Sequence, residues 1–147
     1  MTTSANCALA TSADLLLDTS AAVPFLVTSH VEHASTFGAL SGRRLGLSGH
    51  AAFETFSVIT RLPEPARVSP ATAVTLLRRN FPHTKHLGAP AAGKLIARFA
   101  ESRIAGGAVY DAMVAACALD HGCVLATRDE RALTTYASLG VEVLLLP

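Results

Sequence analysis

The apolar runs of this chain are short and stand too far apart to close as tight hairpins. Asp14-Leu-Leu-Leu-Asp18 comes first, then Leu45-Gly-Leu-Ser48, then Cys123-Val-Leu-Ala-Thr127, and finally Val141 to Leu146. Each has the length of a buried strand and falls short of a buried helix. The stretches between them carry helix signals. Parallel strands require crossover connections of about a dozen residues or more, usually helical. The pattern therefore predicts an α/β domain whose central sheet is mainly parallel and covered by helices on both faces. A weaker strand is expected at Lys85 to Leu87.

Seven helices are expected. Ser20 is read as the cap of the first, which runs to Val27, and a second spans Val31 to Leu40. A third runs from His50 to Arg61, where Leu62-Pro63-Glu64-Pro65 stops it. Ser69-Pro70 puts a cap residue before a helix-starting proline, so the fourth runs to Asn80. The fifth spans Pro90 to Arg103. The sixth, Ala108 to His121, is apolar nearly all round and so belongs in the interior. The seventh runs from Glu130 to Leu139, with Gly140 after its end. Residues 14–147 read as one domain and residues 1–13 as an extension that lacks the basic start and long apolar core of a signal peptide.

Half of the 147 residues are apolar, which supports a filled core together with an exposed sticky face. The net charge of +1 excludes a protein that holds nucleic acid by bulk charge, so a nucleic acid would have to meet a local patch. Three cysteines, Cys7, Cys117 and Cys123, show no framework spacing. They read as reduced thiols, and the protein is expected to be cytoplasmic, with no membrane span.

The acidic residues separate into two sets. Asp14, Glu32, Glu64, Glu101, Asp120, Glu130 and Glu142 fall at element ends or on faces expected to be solvated. The remaining four stand in unusual places. Asp18 follows the first strand directly, and Asp129 follows the Cys123–Thr127 strand by two residues. Glu54 interrupts Ala-Ala-Phe-Glu-Thr-Phe-Ser-Val, and Asp111 interrupts Val-Tyr-Asp-Ala-Met-Val-Ala-Ala. Taken singly, each has an ordinary explanation. Asp18 and Asp129 suit helix caps, Glu54 suits a solvent-facing helix position, and Asp111 suits the positive end of a helix dipole. Salt bridges to Arg61 or Arg128 would also serve. Taken together, four converging carboxylates repel one another, and a divalent cation relieves that repulsion. Hard cations such as Mg²⁺ and Mn²⁺ prefer carboxylate and water oxygens. Zinc would need histidine or cysteine ligands, and the histidines show no such spacing; His30 and His33 read as surface residues.

An acidic magnesium site suits phosphoryl chemistry, since the metal neutralises phosphate charge and lowers the pKa of a bound water. Thr19, Ser20 and Thr127 lie beside Asp18 and Asp129. They are candidates to orient the carboxylates from behind, or simply to serve as turn and cap hydroxyls.

Four segments together resemble a known family: Leu-Leu-Leu-Asp18-Thr19-Ser20, Phe53-Glu54-Thr-Phe-Ser57, Val-Tyr110-Asp111-Ala-Met and Leu-Ala-Thr127-Arg128-Asp129. In this order they are similar to the acidic motifs of PIN-domain ribonucleases, above all the VapC toxins of bacterial toxin–antitoxin pairs. The resemblance covers Asp14 to Leu146. It implies an α/β/α endoribonuclease dependent on Mg²⁺ or Mn²⁺. Asp18, Glu54, Asp111 and Asp129 would form the acidic cluster, with Asp18 and Asp111 as the firmest metal ligands. It also implies an RNA substrate, a homodimer, a small VapB-like antitoxin that covers the site, and operator DNA bound only through that antitoxin. Among the arginines, Arg61 and Arg128 are the candidates for RNA phosphate contact, and such contacts carry no sequence information directly.

Other acidic α/β domains fit less well. A phosphoacceptor receiver domain needs a lysine after its last strand, and a haloacid-dehalogenase-like phosphatase needs aspartate at position 20, where this chain has Ser20. No GxGxxG or Walker sequence follows the first strand. A different class remains open: a non-catalytic interaction protein whose acid pocket receives arginines of a partner in a repressor complex.

Overall fold

The computed structural model describes residues 14–147. The extension 1–13, with Cys7, lies outside the described residues. Strand β1 (Asp14–Leu17) leads into α1 (Thr19–Leu26) and α2 (His33–Leu40), then β2 (Arg44–Leu47). Four helices follow: α3 (His50–Thr60), α4 (Pro70–Asn80), α5 (Ala89–Glu101) and α6 (Ala108–Asp120). Strand β3 (Val124–Thr127), a 3-10 turn (Glu130–Ala132), α7 (Leu133–Leu139) and β4 (Val143–Leu145) close the domain.

The sheet has the order β2-β1-β3-β4 and every pairing is parallel, as the spacing of the apolar runs requires. Alternation along β1 divides the core in two. Leu15 and Leu17 face Ala21, Phe25, Leu40 and Phe81 on one side. Leu16 faces Ala112, Ala115, Leu125 and Tyr136 on the other. The chain leaves β1 towards one edge to form β2, then crosses back over β1 to form β3. The winding therefore reverses between β1 and β3, and the crevice outside their carboxyl ends is where a ligand site belongs.

Three expectations need correction. Lys85–Leu87 is not a strand: Ser48 and Lys85 form one isolated parallel bridge. Here the Thr84 hydroxyl accepts from the Leu47 N–H where a ladder carbonyl would have done so, and the chain soon turns into α5. The first helix is capped by Asp18, whose Oδ1 accepts from the Ala21 N–H at 3.2 Å, not by Ser20. The stretch 130–139 is a 3-10 turn joined to a shorter helix, since Asp129 caps the turn through the Arg131 N–H. Cys117 and Cys123 are free thiols, and no described helix is long and apolar enough to cross a membrane.

Gly46 in β2 is required by the returning chain. A Cβ there would stand 2.2 Å from the His83 carbonyl oxygen and 2.6 Å from the Thr84 nitrogen, both backbone atoms that cannot rotate away. Gly46→Ala is expected to cost about 3 kcal/mol, the upper part of the usual overpacking range. A melting curve within a degree or two of the parent would contradict this.

Candidate active site

Asp18 follows β1, and Thr127 and Asp129 end and follow β3, so the strand order itself sets them side by side. Glu54 reaches the same place from α3, Asp111 from the first turn of α6, and Tyr136 from α7. Asp18, Glu54, Asp111, Asp129 and Tyr136, with Thr19 and Ser20, line a cavity of about 300 Å³ at the carboxyl edge of the sheet.

Asp18 is the most firmly held of the acids and is only 5 % exposed. Its Oδ1 accepts from Ser20 Oγ at 2.6 Å as well as from the Ala21 N–H. Its Oδ2 accepts from Thr127 Oγ1 and, at 2.7 Å, from the Tyr136 hydroxyl. Thr127 Oγ1 in turn accepts from the Asp129 N–H at 3.0 Å, and Ser20 Oγ accepts from the Arg128 N–H at 2.8 Å. The two hydroxyls thus tie the end of β1 to the end of β3. Burial pushes the Asp18 carboxyl above the usual aspartate range, even against the four donors that favour its charge.

Asp111 is half-buried. Burial raises its pKa, and so do Asp129, Asp18 and Glu54, while Arg131 opposes them. Asp111 therefore feels the other three carboxylates across a single cavity. Asp129 is turned partly aside, its Oδ1 accepting from the Arg131 N–H at 2.9 Å and lying 3.4 Å from Arg131 Nε. Glu54 is exposed at the cavity mouth. Among the described residues no three His, Cys, Asp or Glu side chains are drawn into a compact chelating group. Thr19 Oγ1 is buried and has no hydrogen-bond partner among the described residues.

The two arginines singled out differ. Arg61 is exposed just beyond α3. Arg128 points inward: its side chain is 10 % exposed, with Nε 2.8 Å from Glu32 and Nη1 3.1 Å from the buried Thr36 hydroxyl. It braces α2 against the end of β3, a structural engagement in place of the free phosphate contact expected, and Glu32 is its ion-pair partner rather than a merely solvated acid. Arg131 is the exposed cation beside the acids.

Tyr136 escaped the sequence reading. Its phenol is buried, and its pKa is pushed far up by burial and by the neighbouring carboxylates, so it stays a donor. It stands 118 residues from the acid it serves, and no local pattern separates it from a core tyrosine. Tyr136→Phe is expected to cost about 1–2 kcal/mol, since a donor to a buried acid is lost while the ring still fills its place. It should also raise the Asp18 pKa further. Carbon-13 NMR of the carboxyl in both proteins tests this; an unchanged titration would contradict it.

The PIN domain family profile matches residues 15–138. The chain belongs to the PIN domain family. Within it the chain is 44% identical over 129 residues to Ribonuclease VapC27 of Mycobacterium tuberculosis, covering 88% of this chain and 94% of that protein. Two solved structures share the PIN fold. VapBC2 from Rickettsia felis, bound to a DNA fragment of its promoter, superposes with a TM-score of 0.65 at 11% identity, covering 92% of this chain and 100% of that one. VapC20 of Mycobacterium tuberculosis, described as a toxin cleaving the sarcin–ricin loop, gives 0.65 at 15% identity, covering 90% of this chain and 99% of that one.

Proposed function

We propose that this PIN-domain protein is a toxin endoribonuclease that hydrolyses RNA phosphodiester bonds with Mg²⁺ or Mn²⁺ held by Asp18, Asp111, Asp129 and Glu54. The observation that carries the reading is the convergence of these four carboxylates on one cavity, where Asp111 is raised by the other three. The kinship with Ribonuclease VapC27 supports it.

The residues suit a hard cation. The cavity is lined by four carboxylates with no histidine or cysteine, a donor set that favours a hard cation. A bound divalent ion supplies charge neutralisation at the phosphate and a lowered pKa for a water. The chain supplies the rest. Ser20, Thr127, Tyr136 and the Ala21 N–H hold both oxygens of the Asp18 carboxylate and fix its rotamer, so a cation bound by Asp18 would take the place of one of these hydrogen bonds. Asp111 adds charge from a rigid, buried helix. Glu54, at the mouth, is free to orient a water by accepting its proton in a hydrogen bond. Asp129 completes the cluster directly or through water, and Arg131 beside it meets the phosphate backbone.

The reading extends to partners. A VapB-like antitoxin would cover the apolar surface and place a basic side chain against the acids. The protein would form a homodimer in the cytoplasm and meet operator DNA only through that antitoxin. Purified protein incubated with total RNA tests the core of the reading. Fragments should appear with Mn²⁺ and vanish with EDTA. No cleavage under any divalent ion would instead favour the non-catalytic reading, in which the acid pocket serves a partner's arginines.

A further inference from the structure

Four donors meet the Asp18 carboxylate. Ser20 Oγ and the Ala21 N–H donate to Oδ1 at 2.6 and 3.2 Å. Thr127 Oγ1 and the Tyr136 hydroxyl donate to Oδ2, the second of them at 2.7 Å. An ionised carboxylate offers about four lone-pair sites, so all of them are engaged here. Binding a cation at Asp18 therefore requires one donor to withdraw.

Three of the four are poorly placed to do so. The Ala21 N–H is part of the backbone that starts α1. Ser20 Oγ also accepts from the Arg128 N–H at 2.8 Å, and Thr127 Oγ1 from the Asp129 N–H at 3.0 Å. Moving either oxygen would unpair a backbone N–H where β1 meets β3. Turning either proton away would exchange a bond to a carboxylate for one to the other hydroxyl, 3.1 Å off, and a neutral pair is the weaker bond. The Tyr136 hydroxyl differs on both counts. It supports no backbone group, and Asp18 is its sole hydrogen-bond partner among the described residues. Its ring is buried in the core with Leu16 and Ala112, so the oxygen stays in place while the proton turns about the Cζ–Oη bond. Asp111 and Asp129 line the same cavity as Tyr136, so that proton has other negative charge to turn towards.

We propose that Tyr136 is a placeholder at Asp18: while no cation is bound, its hydroxyl holds the lone pair of Oδ2 that a divalent cation takes, and it gives that lone pair up on binding. The inference rests on reading Asp18 as a metal ligand and deepens it by naming the positioning residue that sets how tightly the site holds Mg²⁺ or Mn²⁺. Ser20 and Thr127 aim the carboxylate in both states. A contact made in one state only favours that state by its own strength, so Tyr136 steadies the empty cavity and lowers its metal affinity together.

Calorimetric titration with Mn²⁺ at pH 8 reads the affinity. Tyr136→Phe keeps the ring and removes the donor, and is expected to lower the Kd about tenfold, the strength of one hydrogen bond to a charged group. Ser20→Ala and Thr127→Val lose a donor to the same carboxylate together with its aim, and should raise the Kd. A tyrosine of merely structural value would give the opposite sign at position 136, because loosening the cavity weakens it as a ligand site. The second readout uses the parent protein, so it decides the matter even if Tyr136→Phe folds poorly. The chain has two tyrosines and no tryptophan. With tyrosine labelled at ¹³Cζ, saturating diamagnetic Mg²⁺ should move the Tyr136 resonance and leave in place that of Tyr110, which stacks on His50 and does not line the cavity. An equal or higher Kd in folded Tyr136→Phe would overturn the proposal, as would a Tyr136 resonance indifferent to Mg²⁺. A lower Kd in Ser20→Ala or Thr127→Val would overturn it too, since another donor would then be the one that yields. These failures leave the metal-site reading standing if the parent binds Mn²⁺ and Asp18→Asn does not; a parent that binds no Mn²⁺ overturns both.

Discussion

Replacing Asp18 by asparagine is expected to lower RNA cleavage by on the order of a thousandfold while leaving the fold intact. The charge is the reason for the first effect. A metal's contribution to stabilising a phosphoryl transition state amounts to several kcal/mol, and about 4 kcal/mol is a thousandfold in rate. The hydrogen-bond pattern is the reason for the second. Asparagine keeps one carbonyl oxygen for Ser20 and the Ala21 N–H. Its amide then faces Thr127 and Tyr136, which are hydroxyls and can turn to accept. Asp18→Ala should fare worse, because it strands buried donors at about 1–3 kcal/mol each. Cleavage assays beside melting curves separate the two effects. An Asp18→Asn protein that melts normally and cleaves at the parent rate with Mn²⁺ would remove Asp18 from the mechanism.

The second large effect concerns metal and pH together. Burial raises the Asp18 pKa, and burial with the neighbouring carboxylates raises that of Asp111. Each binds its proton more tightly folded than unfolded. Their contribution to stability is therefore complete below the ordinary aspartate pKa of about 3.9 and is lost as pH rises through the folded values. In the metal-free protein that loss remains as strain at neutral pH and above. A cation that binds only the native state recovers stability by mass action, about 2.7 kcal/mol at a hundred times its Kd. For a domain of this size that corresponds to a rise in Tm of roughly 10 °C. Because ligand carboxyls must give up protons first, the rise should be larger at pH 8 than at pH 5.5. The Asp18→Asn, Asp111→Asn double variant should lose most of it. A melting temperature indifferent to millimolar Mn²⁺ at pH 8 would sink the metal site.

What could be read from the sequence was local. Leu15 to Leu17 announced a buried strand, Ser69-Pro70 a helix start, and the apolar surroundings of Asp111 made its charge conspicuous. The Lys85–Leu87 strand failed because one side-chain hydroxyl took the place of a ladder carbonyl, an exchange that depends on where Thr84 lies in space. The partners of Arg128 were hidden for a similar reason, since Glu32 and Thr36 are brought to it from 92 residues or more away. Tyr136 is the extreme case, since its partner is fixed by the crossing of the chain over β1 and by nothing near it in sequence.

That crossing also governs when the site comes into being. Asp18 is held by Thr127 and Tyr136, partners 109 and 118 residues further along. A chain emerging from the ribosome presents Asp18 early, yet its carboxylate cannot be locked in place until β3 and α7 have been made. Contacts over so long a span form late, because loop closure precedes any gain from pairing. A translation product interrupted before α6 therefore carries half the acids and none of the clasp. The complete cluster with its clasp exists only once α7 has joined the fold.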